Sequence, residues 1–208
     1  MRGREAVVPS LLGIADAPAP RWRRGAEAVR AALARIARPV VLVGHSGAGP
    51  LLPSIADTLP TELAALIFVD AFLPPASGEA PLAPPEFLDQ LRALSTEGLL
   101  PPWWRWFGED KMRELVPDRA LREVLEQEMP SLPLAYFEQG VPVPERWSER
   151  PCAFLLLTQA YGESAADARR RSWPVAEIAD VQHLAPVTDP IAITKVLLNL
   201  ESALIGSA

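Results

Sequence analysis

Val40-Val41-Leu42-Val43-Gly44-His45-Ser46-Gly47-Ala48-Gly49 is the stretch that decides how the chain reads. Its first four residues form a short, continuous apolar run with the branching of a buried strand. Pro39 ends the helical period of residues 25–38 just before it. Residues 48–58 return to helical character, with Pro50 near the first turn, where a missing N–H costs little, and Pro53 predicting a kink. A strand that turns through Gly-His-Ser-Gly into a helix lifts the serine to an exposed, strained apex. Gly44 and Ala48, two residues to either side, must be small because strand and helix backbones pass close together there. The Gly47 N–H, at the helix start, is a candidate donor to a developing oxyanion, aided by the helix dipole. A plain Gly-rich turn and a phosphate loop compete with this reading. No Lys follows as a Walker loop requires, and Gly-x-Gly-x-x-Gly does not fit.

A serine hydroxyl needs a base near neutral pH, and histidine suits the task best. The chain has two histidines, His45 within the turn and His183 before the last helical segment. A surface loop histidine is the plain alternative for His183. The third member of such a set must accept a hydrogen bond from the imidazole. Asp70 ends the apolar run Leu66-Ile67-Phe68-Val69 and is preferred. Glu163, in Thr158-Gln159-Ala160-Tyr161-Gly162-Glu163, is the alternative acid. Capping of the Ala71–Pro74 turn and an N-terminal helix charge are their respective structural readings.

The 208 residues fit one domain, 1–208, with 49% apolar and 22% charged residues, an ordinary globular balance. A net charge of −6 argues against nucleic acid or an anionic membrane as partner. One cysteine and two histidines give no metal-ligand spacing, so no metal is expected, and Cys152 reads as a small buried hydrophobe. With no signal-peptide core and no bilayer-length apolar segment, the expected compartment is the cytoplasm.

Apolar runs at 6–8, 40–43, 66–69 and 153–157, with a short one at 174–178, read as strands of a mostly parallel sheet covered by helices on both faces. Helices are expected at 164–172 and 190–204. The Pro- and Trp-rich block 74–150 reads as a helical insertion, with helices near 85–96, 109–116, 118–128 and 132–139. Trp103, Trp104 and Trp106, with Phe72, are candidate pocket-lining residues, Phe87 and Phe137 further ones; anchoring of the insertion is the equal alternative. Arg105 reads as a snorkelling side chain.

On these elements the chain resembles the α/β-hydrolase superfamily, small esterases and hydroxynitrile-lyase-like members more than large lipases. The resemblance implies a three-layer α/β/α fold with a helical cap at 74–150, Ser46 as nucleophile and His183 as base. It makes His45 a packing or orienting residue beside the pocket, and calls for no cofactor. The implied function is serine hydrolysis of an ester or similar small acyl substrate. A lyase or cyclase on the same residues and a catalytically impaired ligand-binding protein are the alternatives. The resemblance also implies a further strand, a His-Gly-type loop with a second oxyanion donor and a helix ahead of Ala6-Val7-Val8-Pro9. The chain as written is therefore expected to be N-terminally truncated, through a misassigned start or as a natural short form. An exposed sheet edge would then leave a homodimer open.

Overall fold

Alternation of side chains along two central strands sets the layers of the molecule. A computed structural model describes residues 4–206. Strand β1 (Val40–His45) is followed by β2 (Leu63–Val69). The insertion then carries β3 (Gly78–Pro81), β4 (Leu99–Leu100), β5 (Leu132–Pro133) and β6 (Gly140–Val143). The chain returns to the centre with β7 (Cys152–Leu156) and β8 (Val175–Glu177). The order β1-β2-β7-β8 makes one parallel sheet, with Val69 paired to His45 on one side and to Leu155 on the other.

Helices α1 (Trp22–Leu33) and α2 (Leu52–Asp57) precede β2; α3 (Pro85–Leu94), α4 (Glu109–Leu115), α5 (Arg119–Glu128) and α6 (Leu134–Phe137) belong to the insertion; α7 (Gly162–Arg170), α8 (Ala185–Thr188) and α9 (Pro190–Ile205) follow β7. Leu66, Phe68, Phe154 and Leu156 face Leu52 and Ala56 of α2 and Ala165 and Ala168 of α7. Ile67, Val69, Ala153 and Leu155 face Ile193, Val196, Leu197 and Leu200 of α9. The period of two puts successive residues on opposite faces, and both faces are covered, as the continuous apolar runs require. The fold is a three-layer α/β/α sandwich.

Two short antiparallel ladders, β3 with β6 and β4 with β5, stitch the insertion. The Trp147 indole N–H donates to the Pro75 carbonyl at 2.8 Å, joining the insertion's two ends. Met112, Leu115 and Val116 pack with Trp103 and Trp104 on Leu184, the residue after His183.

Three expectations need correction. Residues 6–8 form no strand; Val8 is 92% exposed, and an apolar tripeptide closed by Pro9 finds no ladder to join. Among the described residues β1 has no partner on its outer edge, and its Val43 is half exposed. The first helix begins at Trp22, a turn early, because the buried Trp22 ring anchors its start against Ile55 and Leu51. Pro53 makes no kink: residues Ser46–Leu51 are a 3-10 segment, and a new helix, α2, starts at Leu52 with Pro53 in its first turn.

Candidate active site

The parallel register carries strand ends to one level of the sheet, and two polar residues sit one step past those ends. Ser46 follows β1 and Asp70 follows β2, next to each other because His45 pairs with Val69. Both adopt left-handed backbone, with φ of 55° and 42°, a conformation that costs a non-glycine residue of order 1–3 kcal/mol. The turn after Ser46 is tight. A Cβ on Gly44 would lie 2.8 Å from the Leu52 side chain, and one on Gly49 would lie 2.7 Å from both Ala71 Cβ and the Phe72 carbonyl oxygen. Ala48 is only partly buried and accommodates its methyl. On the strand side the close approach falls at Gly44, where the spacing puts it; on the helix side it falls at Gly49, one residue past Ala48.

Asp70 is fully buried with every lone-pair direction used. Its Oδ1 accepts from the Leu157 and Thr158 N–H groups, each at 2.9 Å, and its Oδ2 accepts from Thr158 Oγ1 at 2.8 Å. Oδ2 also lies 2.7 Å from His183 Nδ1. Burial alone would raise this carboxyl, but the hydrogen bonds from His183, Thr158 and Leu157 outweigh it and hold the group below its ordinary value. Asp70 is therefore ionised, and His183 Nδ1 is the donor to it. That tautomer leaves His183 Nε2 as an acceptor, and Ser46 Oγ lies 2.9 Å from it.

His45 sits behind this line. Its Nε2–H donates to the His183 carbonyl at 2.9 Å, and the two rings are 4.5 Å apart. Burial, and then the neighbouring His183 ring, push His45 down to about 4, so it is neutral near pH 7. Glu163 is exposed in the first turn of α7 and takes no part in the His183 contacts.

Aromatic rings surround the imidazole. Tyr161 stacks on His183 at 5.4 Å, Phe72 lies 5.0 Å from Tyr161, and Trp103 lies 6.5 Å from His183. Trp104 packs in the Met112–Leu184 cluster with Arg105 4.6 Å over its ring. Trp106 is placed elsewhere. Its indole N–H bonds the Pro101 carbonyl and its ring packs on Phe87 and Phe137, so all three belong to the insertion's own core. Sequence reasoning missed Tyr161 and Thr158; the signal was two hydroxyl side chains in the turn directly after a buried strand. Clefts beside Asp57 and Trp147, and beside Glu79 and Phe137, include no residue of this cluster. Among the described residues no acidic, His or Cys group is arranged to hold a metal, and no helix is long and apolar enough to cross a membrane.

A model of the alpha/beta hydrolase family matches residues 2–195. The chain belongs to that family. No curated protein sequence matches this alpha/beta hydrolase chain. Among solved structures it is similar to polyneuridine aldehyde esterase, with 15% identity, a TM-score of 0.61, and coverage of 86% of this chain and 79% of that one. It is similar to an extracellular alpha/beta-hydrolase from a Paenibacillus species, described as sharing structural and functional homology with tobacco salicylic acid binding protein 2, with 16% identity, a TM-score of 0.65 and the same coverage. A histidine-to-alanine variant of tomato methylketone synthase I, complexed with beta-ketoheptanoate, gives 14% identity, a TM-score of 0.62, and coverage of 86% and 78%. Identities this low establish the shared fold.

Proposed function

We propose that this chain is a serine hydrolase that cleaves an ester or similar small acyl substrate. The observation that carries the reading is the unbroken line from Ser46 Oγ to His183 Nε2 at 2.9 Å and from His183 Nδ1 to Asp70 Oδ2 at 2.7 Å. Ser46 attacks the acyl carbon while His183 Nε2 takes its proton. The carbonyl π pair moves onto oxygen, where the Gly47 N–H donates; as a first-turn N–H it has no partner within its helix. The oxygen then restores its double bond, the leaving-group oxygen departs with the proton from His183, and water repeats the sequence to free Ser46. Asp70 holds His183 in the required tautomer and stabilises the imidazolium. The rings of Phe72, Tyr161 and Trp103 suit an apolar acyl or alkyl group. The insertion serves as the cap, through its packing on Leu184.

A fluorophosphonate probe with a panel of p-nitrophenyl acyl esters tests this. The expected result is labelling and turnover by the wild-type chain, both lost in Ser46→Ala. An unlabelled wild-type chain would overturn the reading in favour of a binding protein. Similarity to tomato methylketone synthase I motivates one second reading, non-hydrolytic chemistry on the same residues; labelling without turnover of any ester would favour it.

A further inference from the structure

One residue grips both oxygens of the Asp70 carboxylate. Thr158 follows the buried Leu157 in the turn between β7 and α7, and its backbone is still extended, with φ of −132° and ψ of 150°. From there its N–H donates to Oδ1 at 2.9 Å and its hydroxyl donates to Oδ2 at 2.8 Å. Leu157 N–H is the second donor to Oδ1, also at 2.9 Å. Among the described residues the partners of Oδ2 are both side chains, the Thr158 hydroxyl and His183 Nδ1. The terminal torsion of an aspartate is broad, so its rotamer alone leaves the plane of the carboxylate open. Two N–H groups hold one end of it, and the hydroxyl holds the other. With both ends bonded by the same short segment, the carboxylate keeps one plane, the one that places Oδ2 2.7 Å from His183 Nδ1. Threonine is stiff at χ1, which makes this hydroxyl a fixed donor.

We propose that Thr158 is a positioning residue whose hydroxyl fixes the plane of the Asp70 carboxylate and, through it, the aim of His183 Nε2 at Ser46. The inference rests on the serine-hydrolase reading and deepens it. Thr158 moves no proton: it keeps its hydrogen while His183 takes one from Ser46 and passes it to the leaving group. The imidazolium formed between those two transfers bonds the same Oδ2. A carboxylate already held in place needs no reorganisation at that moment. Valine has nearly the shape of threonine and keeps the N–H bond to Oδ1, so the valine substitution removes the hydroxyl alone. Serine keeps the hydroxyl and removes the methyl.

The test measures kcat and KM on p-nitrophenyl acetate, the rate of fluorophosphonate labelling and the melting temperature. It compares wild type, Thr158→Val, Thr158→Ser, Asp70→Asn and the double variant that joins Thr158→Val to Asp70→Asn. Thr158→Val is expected to fold and keep KM, and to lose at least about 10-fold in kcat and in labelling rate, up to about the 10²-fold that an ångström of misplacement costs. Thr158→Ser is expected to retain most of the wild-type kcat. In the Asp70→Asn background the hydroxyl has no carboxylate to aim, so adding Thr158→Val is expected to change the labelling rate by less than about two-fold. A smaller loss in Thr158→Val, a raised KM at constant kcat, or an equal loss in Thr158→Ser would overturn the inference. So would a larger further loss in the double variant, which would mean that Thr158 acts by a route other than Asp70. If Thr158→Val does not fold, Thr158→Ala, which also keeps the N–H, is judged by the same criteria. Where wild type is labelled and Ser46→Ala is not, these adverse results remove only the role of Thr158. If wild type is not labelled, both this inference and the serine-hydrolase reading fall.

Discussion

Replacing Asp70 with Asn tests the orientation of His183 with little change in shape. In the native site Oδ1 receives two backbone N–H groups, and Oδ2 receives Thr158 Oγ1 and His183 Nδ1. An Asn can keep its oxygen toward the Leu157 and Thr158 N–H groups, since those two donors leave no alternative for that end. Its amide nitrogen then occupies the Oδ2 position, where Thr158 Oγ1 can rotate to accept. The amide's second N–H points at His183 Nδ1, 2.7 Å away in the native site, and makes that nitrogen an acceptor. The ring proton moves to Nε2, facing Ser46 Oγ, and the base is lost although every contact survives. All four of these bonds lose their charge assistance, while the buried site no longer desolvates a carboxylate, so the net stability cost is about 1–2 kcal/mol. The catalytic cost is far larger: a triad histidine held in the wrong tautomer loses about 10⁴-fold in kcat. Thermal unfolding and p-nitrophenyl acetate kinetics on the same preparation measure the two separately. An Asp70→Asn protein that folds and retains more than about a tenth of wild-type kcat, against the expected 10⁴-fold loss, would refute the assignment of Asp70 as the orienting group.

Stability should also report His45. Its pKa is depressed when folded, so the unfolded chain binds the extra proton first; stability is full above 6.5 and falls by about 3 kcal/mol as pH drops toward about 4. Urea unfolding of wild type and His45→Gln across that window should show the loss only in wild type; parallel curves would sink the burial argument. The depressed Asp70 carboxyl acts in a lower window, its contribution present above its ordinary 3.8 and lost as pH falls through the folded value. Gly49→Ala should destabilise by about 1–3 kcal/mol, because its methyl meets Ala71 and the Phe72 backbone. Gly47→Ala should have little effect by comparison, since nothing lies within 4 Å of the added carbon. Equal melting temperatures for the two variants would contradict the packing assigned to the turn.

The sheet was legible because its strands are buried on both faces and read as unbroken apolar runs, from Leu66 to Val69 and from Ala153 to Leu157. Ala6-Val7-Val8 misled because composition cannot say whether a ladder partner exists, and here those residues find none. The meeting of Ser46 with His183 was legible through rarity and order: one strand-to-turn serine and one distant histidine. Asp70 was preferred to Glu163 only by its place at a strand tip, since both follow apolar segments. The register decides what meets His183, and register is a property of strand pairing rather than of either segment alone. The tryptophans divide for a related reason. Trp103 and Trp106 are three residues apart, yet one approaches His183 and the other faces Phe87 and Phe137. Composition marks the run as apolar; only the fold of the insertion separates its two sides.

The strain at the site has its counterweight in the strands directly beneath it. Ser46 and Asp70 each hold left-handed backbone, together a cost of about 2–6 kcal/mol. Neither residue is placed by its own turn alone. Asp70 N–H donates to the Leu155 carbonyl at 2.8 Å, and its side chain spans to the N–H groups of Leu157 and Thr158, so β7 fixes the residue that ends β2. Ser46 is held by β1, whose only ladder among the described residues is with β2. Burial of Leu66, Ile67, Phe68 and Val69, none more than 2% exposed, contributes roughly 1.5–3 kcal/mol per side chain, enough to offset both strained residues. The geometry of the hydroxyl, the imidazole and the carboxylate therefore depends on β2 more than on the turn that carries the serine. Cavity-forming changes in β2 should loosen Ser46 and Asp70 together, whereas changes on the open side of β1 should leave Asp70 and its four hydrogen bonds in place.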